Sequence, residues 1–290
     1  MRNERQALVS RILPFSCVDG PGNRLVIFLQ GCNFNCINCH NPHTINHCNH
    51  CGECVESCPT QALQFGKEGK VDWQASLCTH CDRCIEVCCH HASPKVSHYS
   101  VTDLIEVITK QSGFISGVTV SGGEATLQLP FIVELFKSIK QSTELNHLTC
   151  FVDSNGYLAK DGWNKLLPYL DGAMIDLKAW SLETHQWLVG RDNHRVIESI
   201  KWLGKHKKLH ELRLLHIPNR SDLNQEIGQV ARLIYALPKD VIVRLNAFQH
   251  HGVRGEALSW PRCSQSQLED FHRNLAAVID NPIVTPSVYL

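Results

Sequence analysis

Eleven residues, Gly31-Cys32-Asn33-Phe34-Asn35-Cys36-Ile37-Asn38-Cys39-His40-Asn41, hold the chemistry that the rest of the chain has to position. Three thiolates spaced Cys32-x3-Cys36-x2-Cys39 can ligate three irons of a [4Fe–4S] cube and leave the fourth iron without a protein ligand. An open iron can take an external ligand, which the closed four-cysteine site of an electron carrier does not allow. Zinc is the alternative on this stretch, because a zinc site is closed by a fourth ligand and His40 or His43 could supply it.

A second concentration of thiols follows. Cys48-x2-Cys51-x2-Cys54-x3-Cys58-Pro59 repeats as Cys78-x2-Cys81-x2-Cys84-x3-Cys88, thirty residues later. This is the bacterial ferredoxin run, twice. In such folds the first three cysteines of one run share a cluster with the fourth of the other. Cys48, Cys51, Cys54 and Cys88 are therefore expected on one cubane, and Cys78, Cys81, Cys84 and Cys58 on a second. The second run ends Cys88-Cys89-His90 rather than Cys-Pro. Spacing favours Cys88, with Cys89 as a substitute; paired zinc knuckles are the alternative chemistry.

Other polar groups recur at one kind of position, just after an apolar run. Ser121-Gly122-Gly123-Glu124 follows one run, and its paired glycines let backbone approach a ligand closely, although a tight turn explains them equally well. Asp153-Ser154-Asn155-Gly156 follows the next, where a helix cap is the plain reading. Asp176-Leu177-Lys178 follows another and could be a surface ion pair. Arg213 and Pro218 flank a further run, and Phe248-Gln249-His250-His251-Gly252 ends the series. Recurrence at the same edge raises all of them together.

The elements that must carry these groups alternate. Leu25-Val26-Ile27-Phe28-Leu29 is continuously apolar, as in a strand buried on both faces. Residues 1–24 lead into it, with Asp19-Gly20-Pro21-Gly22 as a turn. Further strands are expected at Gly117–Val120, Leu148–Val152, Ala173–Ile175, Leu212–Leu215 and Val241–Leu245. Helical spacing appears in Val101/Leu104/Ile105/Ile108 behind Ser100 and Asp103, and in Ile132/Leu135/Phe136/Ile139 behind Pro130. It returns in Val196/Ile197/Ile200/Leu203, Leu223/Ile227/Val230/Ile234 and Leu268/Phe271/Leu275/Val278. Strand–helix alternation makes a parallel sheet with helices outside. Six units are too few for an eight-stranded barrel, so the fold class is α/β: a partial (β/α)6 TIM-like barrel, open on one side. Residues 1–44 would hold the first strand and the cluster loop. Residues 45–98 would be an inserted small α+β domain like a bacterial ferredoxin, and 99–290 the rest of the barrel.

Composition narrows the partners. The 290 residues carry no formal net charge and 19% are charged, so there is no basic stripe for nucleic acid. Lys205-His206-Lys207-Lys208 reads as a solvated helix end. No apolar run reaches the roughly 18 residues of a membrane span. The start Met1-Arg2-Asn3-Glu4-Arg5 lacks the apolar core of a signal peptide, which points to the cytoplasm. Thirteen of fifteen cysteines fall between Cys17 and Cys89, and in a reducing compartment that means cofactor ligation rather than disulfides. Cys150 and Cys263 read as buried free thiols.

With those residues on the page, the chain resembles the radical S-adenosylmethionine (SAM) activating enzymes of glycyl radical enzymes, related to pyruvate formate-lyase activase. Asp19-Gly20-Pro21-Gly22, the loop ending Cys39-His40-Asn41, Ser121-Gly122-Gly123-Glu124, Asp153-Ser154-Asn155-Gly156 and Asp176-Leu177-Lys178 match in order, over essentially the full length. Pro14-Phe15-Ser16-Cys17-Val18 and Phe248-Gln249-His250-His251-Gly252 look like the YjjW-type subgroup, with a YjjI-like glycyl radical protein as partner.

The resemblance implies three [4Fe–4S] clusters and SAM. Cys32, Cys36 and Cys39 would hold the SAM cluster; one electron from it would cleave SAM to a 5′-deoxyadenosyl radical that takes hydrogen from a glycine Cα of the partner. Asn38, Cys39, His40, Gly122, Gly123, Glu124, Asp176, Leu177, Lys178 and Arg213 would form the SAM site, Lys178 and Arg213 among its catalytic groups. The family's histidine after the sixth strand has no direct counterpart: Gln249 stands at its place and His250, the chosen candidate, one residue on. Asp153, Ser154, Met174 and Asp176 match the ligands of a monovalent cation in pyruvate formate-lyase activase. The ferredoxin-type clusters would relay electrons from a flavodoxin or ferredoxin. The rival readings are a radical SAM enzyme with another substrate and a non-catalytic iron–sulfur carrier.

Overall fold

The computed structural model describes residues 4–286; Met1–Asn3 of the leader reading and the last residues of the tail lie outside that range. In chain order the strands are β1 Gln6–Ser16, β2 Arg24–Leu29, β3 Leu63–Phe65, β4 Val71–Trp73, β5 Ser97–Ser100, β6 Gly117–Gly122, β7 Thr149–Ser154, β8 Gly172–Leu177, β9 Leu209–His216, β10 Ile242–Ala247 and β11 Ile283–Val284. The helices are α1 Arg83–Glu86, α2 Val101–Gln111, α3 Leu129–Gln141, α4 Lys160–Leu166, α5 Leu182–Val189, α6 His194–Lys205, α7 Ile227–Tyr235 and α8 Gln265–Ala276.

Nine strands form one sheet in the order β11-β10-β9-β8-β7-β6-β2-β1-β5. The run from β2 through β6–β10 is parallel throughout. These are the six repeating strands of an α/β partial barrel, and its two edges do not pair with each other. Leu25, Val26, Ile27 and Leu29 are fully buried because the barrel interior covers one face of β2 and helices the other. α2 starts at a complete capping box, Ser100 and Asp103 bonding each other's backbone N–H. It buries Val101, Leu104 and Ile108. At the strand starts Arg24 is fully buried and donates to Thr119 Oγ1 and Val118 O on β6 and to Thr149 Oγ1 on β7, each at 2.7 Å. Burial lowers its pKa to about 10, so it stays charged and bolts three strands together.

Several local expectations need correction. The lead-in is the eleven-residue strand β1, antiparallel to β2 and β5. Its bulged register interrupts the alternation that would have revealed it. β11 extends the other edge with only two residues. Val278 falls beyond α8 and is 49% exposed, and Leu223 precedes α7. α4 and α5 are short, and neither shows a sustained apolar stripe in the sequence. Cys150 and Cys263 are buried, whereas Cys17 is exposed beside Asn23.

Between β2 and β5 the chain makes a separate small unit. The hairpin β3–β4 and the single turn α1 surround their own core of Cys54, Leu63, Val71, Cys84 and Ile85. The segment leaves and returns at one place, since Asn46 and Ala92 form a parallel bridge and Asn46 Nδ2 donates to His90 O. Gln30 Nε2, at the end of β2, donates to the carbonyls of His43 and Asn46 and ties that base to the barrel.

Candidate active site

The cluster loop leaves the C-terminal end of β2, where parallel-sheet enzymes assemble their chemistry. Backbone bonds hold it on two flanks. Gly31 N donates to Thr44 O and Cys32 N to Ile45 O on one side; Asn35 N donates to Val189 O and Ile37 N to Leu188 O, at the end of α5, on the other. Phe34 is 2% exposed and meets Tyr157 and His185 edge-on. The glycine pair is required by close approach. A Cβ on Gly123 would stand 2.4 Å from Gly31 O and 2.6 Å from Thr44 O. Gly122 has φ +133°, and a Cβ there would stand 2.1 Å from Leu29 O. Only hydrogens let β6 pass so near the loop.

A cavity of about 500 Å³ opens at this edge. Cys32, Cys36, Asn38, Cys39 and His40 line it from the loop, with Gly122 and Gly123, Asp153, Asp176 and Lys178 from successive strand ends. Lys178 Nζ lies 2.7 Å from Asp176 Oδ2. Burial would raise Asp176, but Lys178 and then Arg213 more than offset it and hold its pKa below the ordinary carboxylate range. Burial would lower Lys178, and Asp176 with the thiols of Cys36 and Cys39 raises it. His40 is kept neutral chiefly by burial.

The residues fit an iron–sulfur cluster with a polar co-ligand. Burial pushes the bare thiols of Cys32 and Cys36 up to about 12 and raises Cys39 as well, while the Lys178 charge pulls all three down. Thiols so placed become thiolates when a metal supplies the missing positive charge. Phe34 N–H already points at Cys32 Sγ, 3.4 Å away. Asn38 is 3% exposed and its Oδ1 has no partner, an acceptor left for something in the cavity.

The same pattern repeats in the small unit. His50 N–H lies 3.4 Å from Cys48 Sγ and His80 N–H 3.4 Å from Cys78 Sγ. Cys58, Cys78, Cys81 and Cys84 line one cavity together. Burial is the largest single influence on Cys58 and raises it, but the N–H groups of Thr60, Leu63 and Ala62 with the Thr60 hydroxyl together outweigh it and turn the net shift downward, as a thiolate site requires. Cys48 and Cys54 are raised mainly by burial, and both feel Cys88. Cys89 is exposed and turned instead to Glu53 Oε2 at 3.4 Å.

Five of the expected groups stand elsewhere than at the cavity wall. His250 is turned away, its Nε2 2.8 Å from Trp260 O, and Gln249 lines the cavity in its place. The one-residue offset after β10 decides this, because neighbouring side chains in extended chain point oppositely. Leu177, next to two lining residues, is buried in the core for the same reason. Glu124 is 1% exposed and takes no cavity position: its carboxylate accepts from Thr126 N (3.0 Å) and Oγ1 (2.5 Å), Ser154 Oγ (2.8 Å) and Asn155 N (2.7 Å). Arg213 donates to Asp153 Oδ1 (2.9 Å), Glu211 Oε1 (2.6 Å) and Met174 Sδ (3.1 Å). Met174 is fully buried beneath it. The cation set does not fit as it stands, since Arg213 covers Asp153 and Met174, Ser154 Oγ donates to Glu124, and Asp176 is paired with Lys178. Asn246, Ala247 and Asp19 also line the cavity. Position at a strand end could have flagged the first two; Asp19 lies in a turn before β2, where no such rule points.

The family described as a 4Fe–4S single cluster domain matches residues 18–197, more than half of the chain. The pyruvate formate-lyase 1-activating enzyme of Escherichia coli K12 is 31% identical over 229 residues, 74% of this chain and 71% of that one. The 4-hydroxyphenylacetate decarboxylase activating enzyme of Clostridioides difficile is 27% identical over 270 residues, covering 86% and 84%. In fold, the chain resembles QueE from Escherichia coli with TM-score 0.51 at 13% identity, over 98% of this chain and 95% of that one. An open three-cysteine cluster loop on a partial α/β barrel defines a radical SAM enzyme. The chain belongs to the activating enzymes of glycyl radical enzymes, which install a glycyl radical on a partner protein. Among the described residues no helix is long and apolar enough to cross a membrane.

Proposed function

We propose that this activase carries three [4Fe–4S] clusters and works on a YjjI-like glycyl radical protein in the reducing cytoplasm. Cys32, Cys36 and Cys39 hold the cluster that binds SAM. Bound together, cluster and SAM supply the 5′-deoxyadenosyl radical that takes one hydrogen atom from the partner's glycine Cα. This chain's own residues bind and orient. Asn38 offers an unpaired acceptor at the cavity wall, Gly122 and Gly123 bring bare backbone to it, His40 stands neutral beside Cys39, and Lys178 places a positive charge near Cys36 and Asp176. Arg213 acts through Asp153 rather than from the wall. A monovalent cation would first have to displace Arg213 from Asp153 and Met174, so no step is assigned to one.

The observation that carries this reading is the three-cysteine loop at the rim of a 500 Å³ cavity whose buried Asn38 acceptor lacks a partner. Residues 45–98 form an inserted unit between residues 1–44 and 99–290, with Cys48, Cys51, Cys54 and Cys88 on one cluster and Cys58, Cys78, Cys81 and Cys84 on the other. They relay electrons from a flavodoxin or ferredoxin. The test is release of 5′-deoxyadenosine from SAM by anaerobically reconstituted protein with dithionite. It is expected in the unaltered chain and lost in Cys36→Ala, with the other two clusters still present by iron and sulfide analysis. Retained cleavage in that variant would overturn the assignment.

A further inference from the structure

The two cysteine sets of the small unit share their exposure and their opening turn, but not the polar groups around them. Each set holds one buried thiol (Cys54 or Cys84), one exposed thiol (Cys51 or Cys81) and two of intermediate exposure. Each opens with the same N–H contact at 3.4 Å, from His50 to Cys48 and from His80 to Cys78. Access of water therefore does not separate two clusters held there. Charge and hydrogen bonding do.

Around Cys58, Cys78, Cys81 and Cys84 the added groups are a cation and N–H donors. Lys95, on the segment that returns to β5, lines their cavity with a side chain only 11% exposed. Its Nζ donates to Asp82, the one acceptor it has among the described residues, whereas an ammonium has three N–H groups to place. Lys95 and Asp82 are the charged groups at the wall; Arg83, Glu86 and Asp72 are exposed outside it. The pair does not cancel, because the Asp82 side chain is 58% exposed and water screens it more than Lys95. At Cys84 burial raises the thiol most, and Lys95 then lowers it more than Asp82 raises it. Trp73 lines the same cavity, and its buried Nε1–H has no acceptor. A buried donor is costly to leave unpaired unless a bound group supplies the acceptor.

The other set faces a carboxylate. Cys51 Sγ, a Glu53 oxygen and a His90 nitrogen, all on exposed residues, lie within 4.8 Å of one another. Glu53 forms no ion pair among the described residues and accepts from Cys89 Sγ at 3.4 Å. After burial, the groups that act on Cys48 and Cys54 are other thiols and backbone N–H. A reduced cluster carries one more negative charge than an oxidised one. A buried cation and N–H donors therefore favour the reduced form, and a carboxylate disfavours it.

We infer that Lys95 and the Trp73 Nε1–H raise the reduction potential of the Cys58/Cys78/Cys81/Cys84 cluster above that of the Cys48/Cys51/Cys54/Cys88 cluster, so the small unit takes up its first electron there. One electron leaves the external reductant and arrives on that cluster; no bond forms or breaks. The inference rests on the three-cluster reading above. Its test is an EPR-monitored redox titration of the anaerobically reconstituted full chain, with iron and sulfide analysis of every sample. The signal lost in Cys36→Ala identifies the SAM cluster, and two further potentials are expected. The higher of them is absent from the double variant Cys58→Ala, Cys81→Ala, which lacks two of that cluster's ligands. In Lys95→Met it falls by about 59 mV, a tenfold loss in the one-electron reduction equilibrium, while the lower potential stays in place. Lys95→Arg restores it, and Trp73→Phe lowers it by a smaller step. An unmoved higher potential in Lys95→Met at full iron content overturns the inference, as does its survival in the double variant. Should Lys95→Met lose iron, Trp73→Phe decides alone, and an unmoved potential there overturns the inference too. Fewer than three clusters in the unaltered protein strikes the three-cluster reading instead.

Discussion

Asp176 and Lys178 show how a single pair sets the pH behaviour of the site. Asp176 has its pKa depressed below the ordinary 3.8, burial being outweighed by Lys178 and Arg213. An acid depressed in the folded state contributes stability that is present above its ordinary pKa and lost as pH falls through the lower, folded value. SAM affinity should therefore be flat through the neutral range and weaken only below about pH 4. Lys178→Met leaves a buried carboxylate without its nearest cation, so the acid limb should move upward in pH and affinity should fall. A pH titration of SAM binding to the reduced cluster by EPR checks this; an unmoved limb would mean that another group controls binding. Arg213 makes a second prediction. Because its guanidinium covers Asp153 and Met174, SAM affinity should agree within about twofold in sodium, potassium and choline buffers. A tenfold potassium effect would show that the arginine yields to a cation.

The crossing of β6 against the cluster loop is an element-scale constraint. Gly123→Ala places a methyl 2.4 Å from Gly31 O, and backbone on both sides leaves only movement of the loop. A displacement near 1 Å costs on the order of 100-fold in rate, so 5′-deoxyadenosine release should fall by about that factor. Gly228→Ala in α7 is the matched control. Nothing stands within 4 Å of its added methyl, and the helix should gain about 0.5–1 kcal/mol in thermal unfolding with activity unchanged. Equal losses in both variants would show that the crossing is not what Gly123 serves. Glu124 braces the next turn, and Glu124→Gln sets an amide against the Asn155 N–H, a cost of about 1–3 kcal/mol. Since Glu124 lies behind the wall, thermal stability should drop while SAM affinity in the folded protein holds.

Across the whole molecule the decisive arrangement is a small unit that leaves and rejoins the barrel at the Asn46–Ala92 bridge, beside the base of the cluster loop. Were clusters held there, the backbone route onward would run through residues 44–46 and the hydrogen bond from Cys32 N–H to Ile45 O. Replacing Cys51 and Cys81 should slow turnover with a protein donor severalfold and leave the dithionite reaction intact. Equal rates with the protein donor would make the insert structural or a docking surface rather than a relay.

Much of this was legible in the chain alone, because cysteine spacing and apolar periodicity are local. The cluster loop, both ferredoxin runs, six parallel strands and the capping box at Ser100 each depend on residues within a few positions of one another. The same holds for the glycine pair, whose need for bare backbone is written in its residue type. What only the tertiary structure decided depends on contacts between distant segments. β1 is a strand because β2 and β5 flank it, not because of its own pattern. Gln249 rather than His250 faces the cavity because of the way the chain leaves β10, and Arg213 turns to Asp153 because β7 and β9 flank the strand that carries Met174. The stack of Trp187, Arg220 and Trp260 unites residues from three separate segments of the chain. Spacing along the chain reports what a ligand set can hold; only packing reports which way each side chain points.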